Sequence, residues 1–425
     1  MQTGVYTVQF VLWNLPVLIF SLFYIRVISQ GWIVYTTVLL GSYGYFRITE
    51  SAGQQQNGSW IVYLAPSLFL LGCITHNFFQ FQNRKLQIEI SELKDSDSWT
   101  FIVIMVSILS IYHYLKVGLI IFSANIETAR FTSISNSGLF GIPGRSVLFC
   151  LPLLSILGVI HYENLNKNST KFLISIYFFS KLASGFKSGI YEFTFVLALA
   201  YLIKKGGSAQ ARKRIKKRNL IALGTIILAQ AAWTSSRYLS NRSRGLESFS
   251  LSYVLDRLTI QSALPQWIAL SNNAISIGLN PFLTDFKYFM QKYLHISTNV
   301  NLAFDQLTSI QIYKTPVTST SFIVPVTVGA PAYLIRSTNQ LIAPILIVAL
   351  GFFFQSSCRA LIRKNTLTKS LIFSALIFGL RLFASNGGAA YLLINLTFSS
   401  ALIIIFHHSY YFLNRFNKPQ KHQFG

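Results

Sequence analysis

Long apolar segments alternate with short polar ones along most of the chain. Each apolar segment is a continuous run, and most approach the roughly 20 residues that an α-helix needs to cross a bilayer. Lipid offers the backbone no hydrogen-bond partner, so these runs are expected to be helical. The predicted spans are 5–25, 30–47, 60–82, 100–122, 145–162, 171–184, 188–203, 220–236, 339–357, 370–384 and 389–408.

Positions 237–338 interrupt this pattern with a long, mostly polar segment. Its one apolar patch, 321–335, contains Pro325, Gly329 and Pro331. These residues favour a broken or re-entrant element over a further crossing.

The prediction is therefore an all-α, polytopic transmembrane bundle of about 11 spans, within a range of about 10–12. Eight spans occupy 1–236, a large and partly helical extracytoplasmic loop occupies 237–338, three spans occupy 339–408, and 409–425 is a cytoplasmic tail.

Composition agrees with a lipid-facing surface, since 52% of the residues are hydrophobic and only 11% are charged. The net charge of +24 would suggest nucleic acid in a soluble protein. Here it fits the rule that cytoplasmic loops of membrane proteins are basic, so no nucleic-acid partner is expected. The densest basic loop, 204–218, contains no acid and is predicted to be cytoplasmic, which places the N-terminus outside and the C-terminus inside. A twelve-span alternative would move one set of basic loops to the outer side.

A smaller set of cations falls on the predicted outer side. Arg145, Lys181 and Lys187 lie at the ends of apolar helices, where a charge is costly and tends to face a cavity or a partner. Snorkelling to the outer headgroups is the alternative. Guanidinium groups match phosphate oxygens in a bidentate manner, so the set predicts a cationic pocket for a lipid-linked diphosphate. The predicted diphosphate-binding residues are Arg130, Arg145, Lys187, Arg237 and Arg244.

Acidic residues are scarce, which argues against an ion-coupled pump. Glu192 is the only acid within a predicted span, whereas such pumps usually contain several buried ionisable groups. Asp95 and Asp97 have the spacing of a metal-binding D-x-D motif, but their short charged loop is better explained as solvated. The histidines are scattered without metal-ligand spacing, so neither a metal nor another cofactor is expected.

Four features between about 100 and 400 resemble the Wzy-type polymerases of O-antigen and other oligosaccharide repeat units. Arg130 and Gly141 reproduce an R-x10-G spacing, ahead of the run Gly141-Ile-Pro-Gly144. The hairpin Ser184-Gly-Phe-Lys187-Ser-Gly189 has Lys where family members commonly have Arg. A large outer loop opens with Arg237 to Arg244 and continues with Asp256-Arg257-Leu. Finally, Thr315 to Phe322 leads into Val-Pro-Val-Thr-Val-Gly, where family members often have Asn-Phe-Gly.

The resemblance implies a metal-independent glycosyltransferase in the bacterial inner (plasma) membrane, multi-pass and with a cytoplasmic C-terminus. Such enzymes polymerise undecaprenyl-diphosphate-linked oligosaccharide units on the outer face, for O-antigen, capsule or exopolysaccharide. Membrane lipid and a chain-length regulator protein are the further partners that the resemblance allows. Positive charge would stabilise the leaving diphosphate, and Arg242 and Arg257 are the catalytic candidates for this role. Candidates for the base that activates the acceptor hydroxyl are His295, Glu247, Asp256, Asp285 and Asp305.

Two other functions stay open from the sequence. An O-antigen ligase, which transfers glycan to lipid A-core, has the same layout and would give more weight to His295. A flippase or exporter of lipid-linked glycans would need cations through the span centres and an internal repeat. Neither feature is evident in the sequence.

Overall fold

The computed structural model of the chain is built from α-helices over the residues that it describes. The described residues are 10–12, 14–19, 21, 29–53, 55–81, 93, 96–123, 129, 132–134, 136–184, 189–207, 260–271, 280–300, 302–313, 328–363, 366–386 and 389–417.

Fourteen helical segments are labelled in chain order, and α4 and α5 are joined by a π-helical turn. They are α1 (Ser29–Ala52), α2 (Ser59–Phe81), α3 (Trp99–Val117), α4 (Ile142–Arg145), α5 (Leu151–Ile160), α6 (Lys167–Ala183), α7 (Gly189–Gly207), α8 (Ile260–Leu270), α9 (Pro281–Leu294), α10 (Phe304–Tyr313), α11 (Ala330–Ser337), α12 (Ile342–Arg363), α13 (Leu367–Asn386) and α14 (Ala389–Asn417).

Six stretches of the described chain are long and apolar enough to cross a membrane. They are Ser59–Phe79, Ser96–Phe122, Leu139–Ile160, Ile342–Arg363, Leu367–Ala384 and Leu396–Arg415. The all-helical fold class and the presence of apolar, span-length helices are thus shown, while the total of about 11 crossings stays a prediction. Helices α1, α6 and α7 coincide with the predicted spans 30–47, 171–184 and 188–203. The predicted span 220–236 lies outside the described residues.

Contacts between helices divide the chain into two compact units. Unit 1 comprises Met1–Leu86, Phe249–Cys358 and Leu376–Ile394, and unit 2 comprises Gln87–Ser248, Arg359–Ala375 and Asn395–Gly425. Neither unit is continuous in sequence, so each core is assembled from early and late helices.

In unit 1, helix α8 packs along α1 and against α11. The Gln266 side chain is 4% exposed and lies against two glycines, Gly41 of α1 and Gly329 at the start of α11. Gly329 has a φ of +79°, and a Cβ there would lie 2.6 Å from Gln266 Cδ. Only glycine fits both this backbone conformation and this contact. Part of the predicted outer loop is therefore helical and packed against α1, whereas 321–327 lie outside the described residues.

A buried carboxylate joins three further helices of unit 1. Asp285 of α9 is 3% exposed and accepts two hydrogen bonds of 2.9 Å, from Phe304 N at the first turn of α10 and from Tyr333 Oη of α11. The N-terminal amides of a helix have no partner within the helix. Asp285, from the neighbouring helix α9, therefore caps the N-terminus of α10. Neighbouring Tyr288 has its pKa raised to about 12 by burial and by the carboxylates of Asp305 and Asp285.

Helices α2 and α12 approach at two glycines. A Cβ at Gly72 would overlap the backbone of Val348, and one at Gly351 would overlap the backbone of Phe69. Cys73 Sγ donates to Gly351 O at 3.3 Å. Small residues that let helix backbones touch are typical of helix pairs in membranes, so these glycines define the contact between α2 and α12.

Unit 2 is a bundle in which α3 packs on α6 and α5 packs on α6 and α7. The Trp99 indole is fully buried and donates to Thr170 Oγ1 at 3.1 Å. Gly158 of α5 lets the same ring approach, because a Cβ there would lie 3.2 Å from it. These contacts join α3, α5 and α6 at their predicted cytoplasmic ends.

Candidate functional site

Arg145 lies beside an unusual turn at the end of unit 2 that the predicted topology places outside. Gly138, Leu139, Phe140 and Gly141 have φ values of +67°, +47°, +55° and +76°. A left-handed backbone costs a non-glycine residue roughly 1–2 kcal/mol, so Leu139 and Phe140 are strained. Strain of this kind persists only where its surroundings enforce it, and it concentrates at functional sites.

The Arg145 side chain helps to hold this turn in place. Its Nη1 donates to Phe140 O at 2.8 Å, and its guanidinium carbon lies 5.0 Å from the ring centroid of Phe398. Gly141 is required sterically as well, because a Cβ there would lie 2.9 Å from Ile134 Cγ2. The guanidinium is thus held in place at the start of the apolar stretch Leu139–Ile160 and remains partly exposed.

The helix that follows Arg145 is irregular. Residues Ser146–Cys150 form a π-helical turn before α5 begins. π-helical turns within helices are frequent at functional sites. A strained turn, a fixed guanidinium and a π-helical turn therefore occur in succession between Gly138 and Cys150.

A buried ion pair joins α6 and α7 in unit 2, near helix ends that the predicted topology places outside. Lys181 of α6 is 3% exposed, and its Nζ lies 2.8 Å from Glu192 Oε2 of α7, whose side chain is 22% exposed. The ammonium also lies 5.6 Å from the ring centroid of Tyr177. Lys181 therefore turns towards a protein partner, and the snorkelling alternative does not describe it. Glu192 is thus a partner of this lysine.

An almost entirely apolar cavity of about 990 Å³ is lined in part by Ser180 and Leu182, the chain neighbours of Lys181, but not by Lys181 or Glu192. Its walls come from the C-terminal halves of α3 and α6, the turn Ile120–Phe122 and the start of α7. Tyr114 Oη closes one side by donating to Ser180 O at 2.8 Å. The wall residues Leu115 and Phe179 are 81% and 65% exposed, so the cavity opens at the surface. It has the chemistry of a site for a hydrocarbon chain.

Most of the predicted site residues fall outside the described part of the chain. Of the predicted phosphate-binding cations, the structure describes Arg145. Of the three catalytic candidates it describes His295. The predicted site residues outside the described chain are Arg130, Lys187, Arg237, Arg242, Arg244 and Arg257.

The described base candidates belong to unit 1. His295 ends α9 in a left-handed conformation with a φ of 56° and is exposed. The two carboxylate oxygens of Asp285 accept hydrogen bonds from Phe304 N and Tyr333 Oη, which indicates a structural role. Asp305 accepts from Gln306 N at 2.8 Å at the start of α10. Glu247 and Asp256 lie outside the described residues.

Within the described residues, no cluster of three or more His, Cys, Asp or Glu side chains has the arrangement of a metal site. The chain matches no protein-family model, no curated protein and no solved structure. The site is therefore interpreted from its own geometry.

Sequence reasoning noted Lys181 and Glu192 separately and missed that they form a pair. They are 11 positions apart and flank the hairpin between α6 and α7 at similar distances from its turn. In an antiparallel hairpin, residues equidistant from the turn come close together. That symmetry was a usable signal for the ion pair.

Proposed function

We propose that the chain is a membrane glycosyltransferase of the Wzy type. It polymerises undecaprenyl-diphosphate-linked oligosaccharide units on the outer face of the bacterial inner membrane. The observation that carries this proposal is the apolar cavity at the predicted outer end of unit 2, in the same unit as the fixed guanidinium of Arg145. A substrate with a long hydrocarbon chain and an anionic headgroup needs both an apolar site and a cation.

The fixed guanidinium of Arg145 supports the same proposal. A guanidinium can form two parallel hydrogen bonds to a phosphate, and holding it in place reduces the entropy lost on binding. Transfer to an acceptor hydroxyl forms a bond to the anomeric carbon and breaks the bond to the diphosphate, which leaves with the electron pair. Cations that meet this growing negative charge would accelerate the step. The candidates for that role remain Arg242 and Arg257, with His295 as a candidate base.

Alanine at Arg242 or Arg257 is the direct test of the proposed reaction. Each variant is expected to abolish long-chain glycan and to leave lipid capped with a single repeat unit intact, because the leaving diphosphate loses its stabilising charge. The measurement is gel electrophoresis of glycan from cells that express each variant, together with polymerisation of purified lipid-linked repeat units in liposomes. Normal chain lengths in both variants would contradict the cationic-pocket proposal.

The proposed topology has its own test by cysteine labelling. Ser250→Cys is expected to react with an impermeant maleimide in intact cells, whereas Gln210→Cys is expected to react only after lysis. The native cysteines, Cys73, Cys150 and Cys358, are all buried and unpaired, so their background should be low. The reverse labelling pattern would overturn the topology and move the proposed site to the cytoplasmic side.

The ligase alternative is tested in the same cells. If the chain is a ligase, the alanine variants at Arg242 and Arg257 would lose all transfer of glycan to lipid A-core, including transfer of a single unit. If the chain is a polymerase, the same variants would keep the single-unit product. The two functions therefore give different gel patterns with one set of variants.

A further inference from the structure

The polarity of helix α9 is the reverse of that expected for a helix in water. Its polar residues Thr284 and Asp285 are buried, whereas the large side chains of Phe282, Leu283 and Phe286 are each about half exposed. These three lie on one face, because residues three and four apart are neighbours on a helix. A surface helix of a soluble domain buries its apolar stripe and exposes its polar residues. The outward face of α9, formed by Phe282, Leu283 and Phe286, therefore suits an apolar neighbour.

The rotation of α9 about its axis is fixed from its inner side. Asp285 accepts hydrogen bonds from Phe304 N of α10 and from Tyr333 Oη of α11, and Thr284 Oγ1 donates to Asn280 O at 2.9 Å. Rolling the helix to bury its outward face would take Asp285 away from two buried donors. Buried donors without an acceptor are costly. The apolar side chains are thus held outward by the bonds of the polar ones.

The beginning of α9 is joined to the chain just before α12. Asn280 Nδ2 donates to Ser337 O, and α12 begins at Ile342. Helix α12 has 22 residues and so spans about 33 Å at 1.5 Å per residue, close to the roughly 30 Å of the hydrocarbon layer. When α12 crosses the membrane, its first turn must lie at one edge of that layer. The predicted topology makes this the outer edge, and α9 begins there too.

The first turns of α12 continue the exposed apolar surface at this level. Leu341, Ile342 and Ile345 are all exposed, as expected where a transmembrane helix faces lipid. With 14 residues, α9 is too short to cross the bilayer, which takes about 20. A helix with one apolar face that does not cross can bury that face at the boundary between headgroups and acyl chains.

We propose that α9 is an interfacial helix whose outward face lies in the outer leaflet of the membrane. The partner of this face is the bilayer itself. The proposal rests on α12 crossing the membrane and is independent of the proposed reaction. It also places α10 and α11 at the membrane surface, because Asp285 joins both of them to α9. Part of the segment predicted as an extracytoplasmic loop is then membrane-bound.

Spin labels on the purified full-length protein in lipid nanodiscs test this proposal. Phe286→Cys carries the test label. Ile345→Cys on α12 is the reference for lipid, and Ser297→Cys is the reference for water, because Ser297 is polar and exposed. The label at 286 is expected to collide more with dissolved oxygen than with a water-soluble nickel chelate, as at 345, and the label at 297 is expected to show the reverse. The native cysteines are buried and should take up little label.

Two results of this experiment would overturn the proposal. Chelate collisions at 286 as frequent as at 297 would place the outward face in water, and a label shielded from both reagents would show that protein covers it. Phe286→Trp gives a measurement that needs no cysteine. Its added fluorescence should be quenched by lipids brominated along their acyl chains, and that of Ser297→Trp should not. Equal quenching of the two would also contradict lipid contact at α9. Neither assay contains glycan, so a failure here is distinct from a failure of the proposed reaction.

Discussion

Arg145→Ala is expected to abolish long-chain glycan while a single repeat unit is still transferred. The substitution removes the hydrogen bond to Phe140 O and the contact with the Phe398 ring. It also removes a guanidinium from the predicted diphosphate site. A charge-assisted hydrogen bond contributes about 1.5–3 kcal/mol, which corresponds to a loss of roughly 10- to 150-fold in the rate of transfer.

Arg145→Lys tests whether a positive charge alone is sufficient at this position, or whether the planar shape of the guanidinium is also needed. Lysine keeps the positive charge but cannot form the planar, bidentate contact, so shorter glycan chains are expected in place of complete loss. Arg47→Ala is the control, since Arg47 forms a partly exposed pair with Glu50 at 4.0 Å at another predicted outer helix end. Glycan ladders of equal length in Arg145→Ala and Arg47→Ala would show that Arg145 does not belong to the proposed site.

Asp285→Ala is expected to lower the free energy of unfolding by about 2–4 kcal/mol, because it leaves two buried donors, Phe304 N and Tyr333 Oη, without their acceptor. Tyr333→Phe removes one donor together with its need for a partner, so it should cost only about 1 kcal/mol. Thermal unfolding of the detergent-solubilised protein measures both. Lys287→Ala, at an exposed position of the same helix, should be neutral. Equal unfolding temperatures for Asp285→Ala and Lys287→Ala would show that Asp285 does not hold the three helices together.

The pKa of Tyr288 gives a second measurement of how the carboxylates of this region act on their surroundings. Burial is the largest cause of the raised pKa of Tyr288, followed by Asp305 and then Asp285. Alanine at Asp305 or Asp285 should therefore lower this pKa from about 12 towards 10.0, followed as tyrosinate absorbance. Because folding raises this pKa, the stability that protonated Tyr288 contributes is complete below pH 10 and is lost as pH rises through about 12. Tyr288→Phe should remove that loss.

Sequence predicted the membrane helices well where hydropathy alone sets their ends. Positions 60–82 were predicted for a helix observed at Ser59–Phe81, because an uninterrupted apolar run is bounded by polar residues. Helix α6 begins earlier than the predicted 171, at Lys167. There the Asn166 side chain accepts from Ser169 N, so a polar first turn is stabilised by capping. Helix α14 likewise continues past the predicted 408 to Asn417.

Less of the candidate site could be predicted from the sequence. Arg145 was identified because a charge beside an apolar run is unusual. The left-handed turn before it was not predicted. Gly138 and Gly141 permit such a turn, but no sequence pattern marks Leu139 and Phe140 as left-handed, and the Arg145 hydrogen bond to Phe140 O is seen only in the structure. The cavity combines α3, α6 and α7, and no short sequence pattern encodes a shape shared by helices that are distant along the chain.

The glycine contact between α2 and α12 has a consequence for the order of assembly. Cys73 and Gly351, which meet there, are 278 positions apart. At a synthesis rate of about 5–20 residues per second, helix α2 waits roughly 14–56 s before its partner leaves the ribosome. During that interval the Gly72 face of α2 is open to lipid or to another helix. Newly made chains that end before α12 should therefore depend on the insertion machinery to keep this face from pairing wrongly.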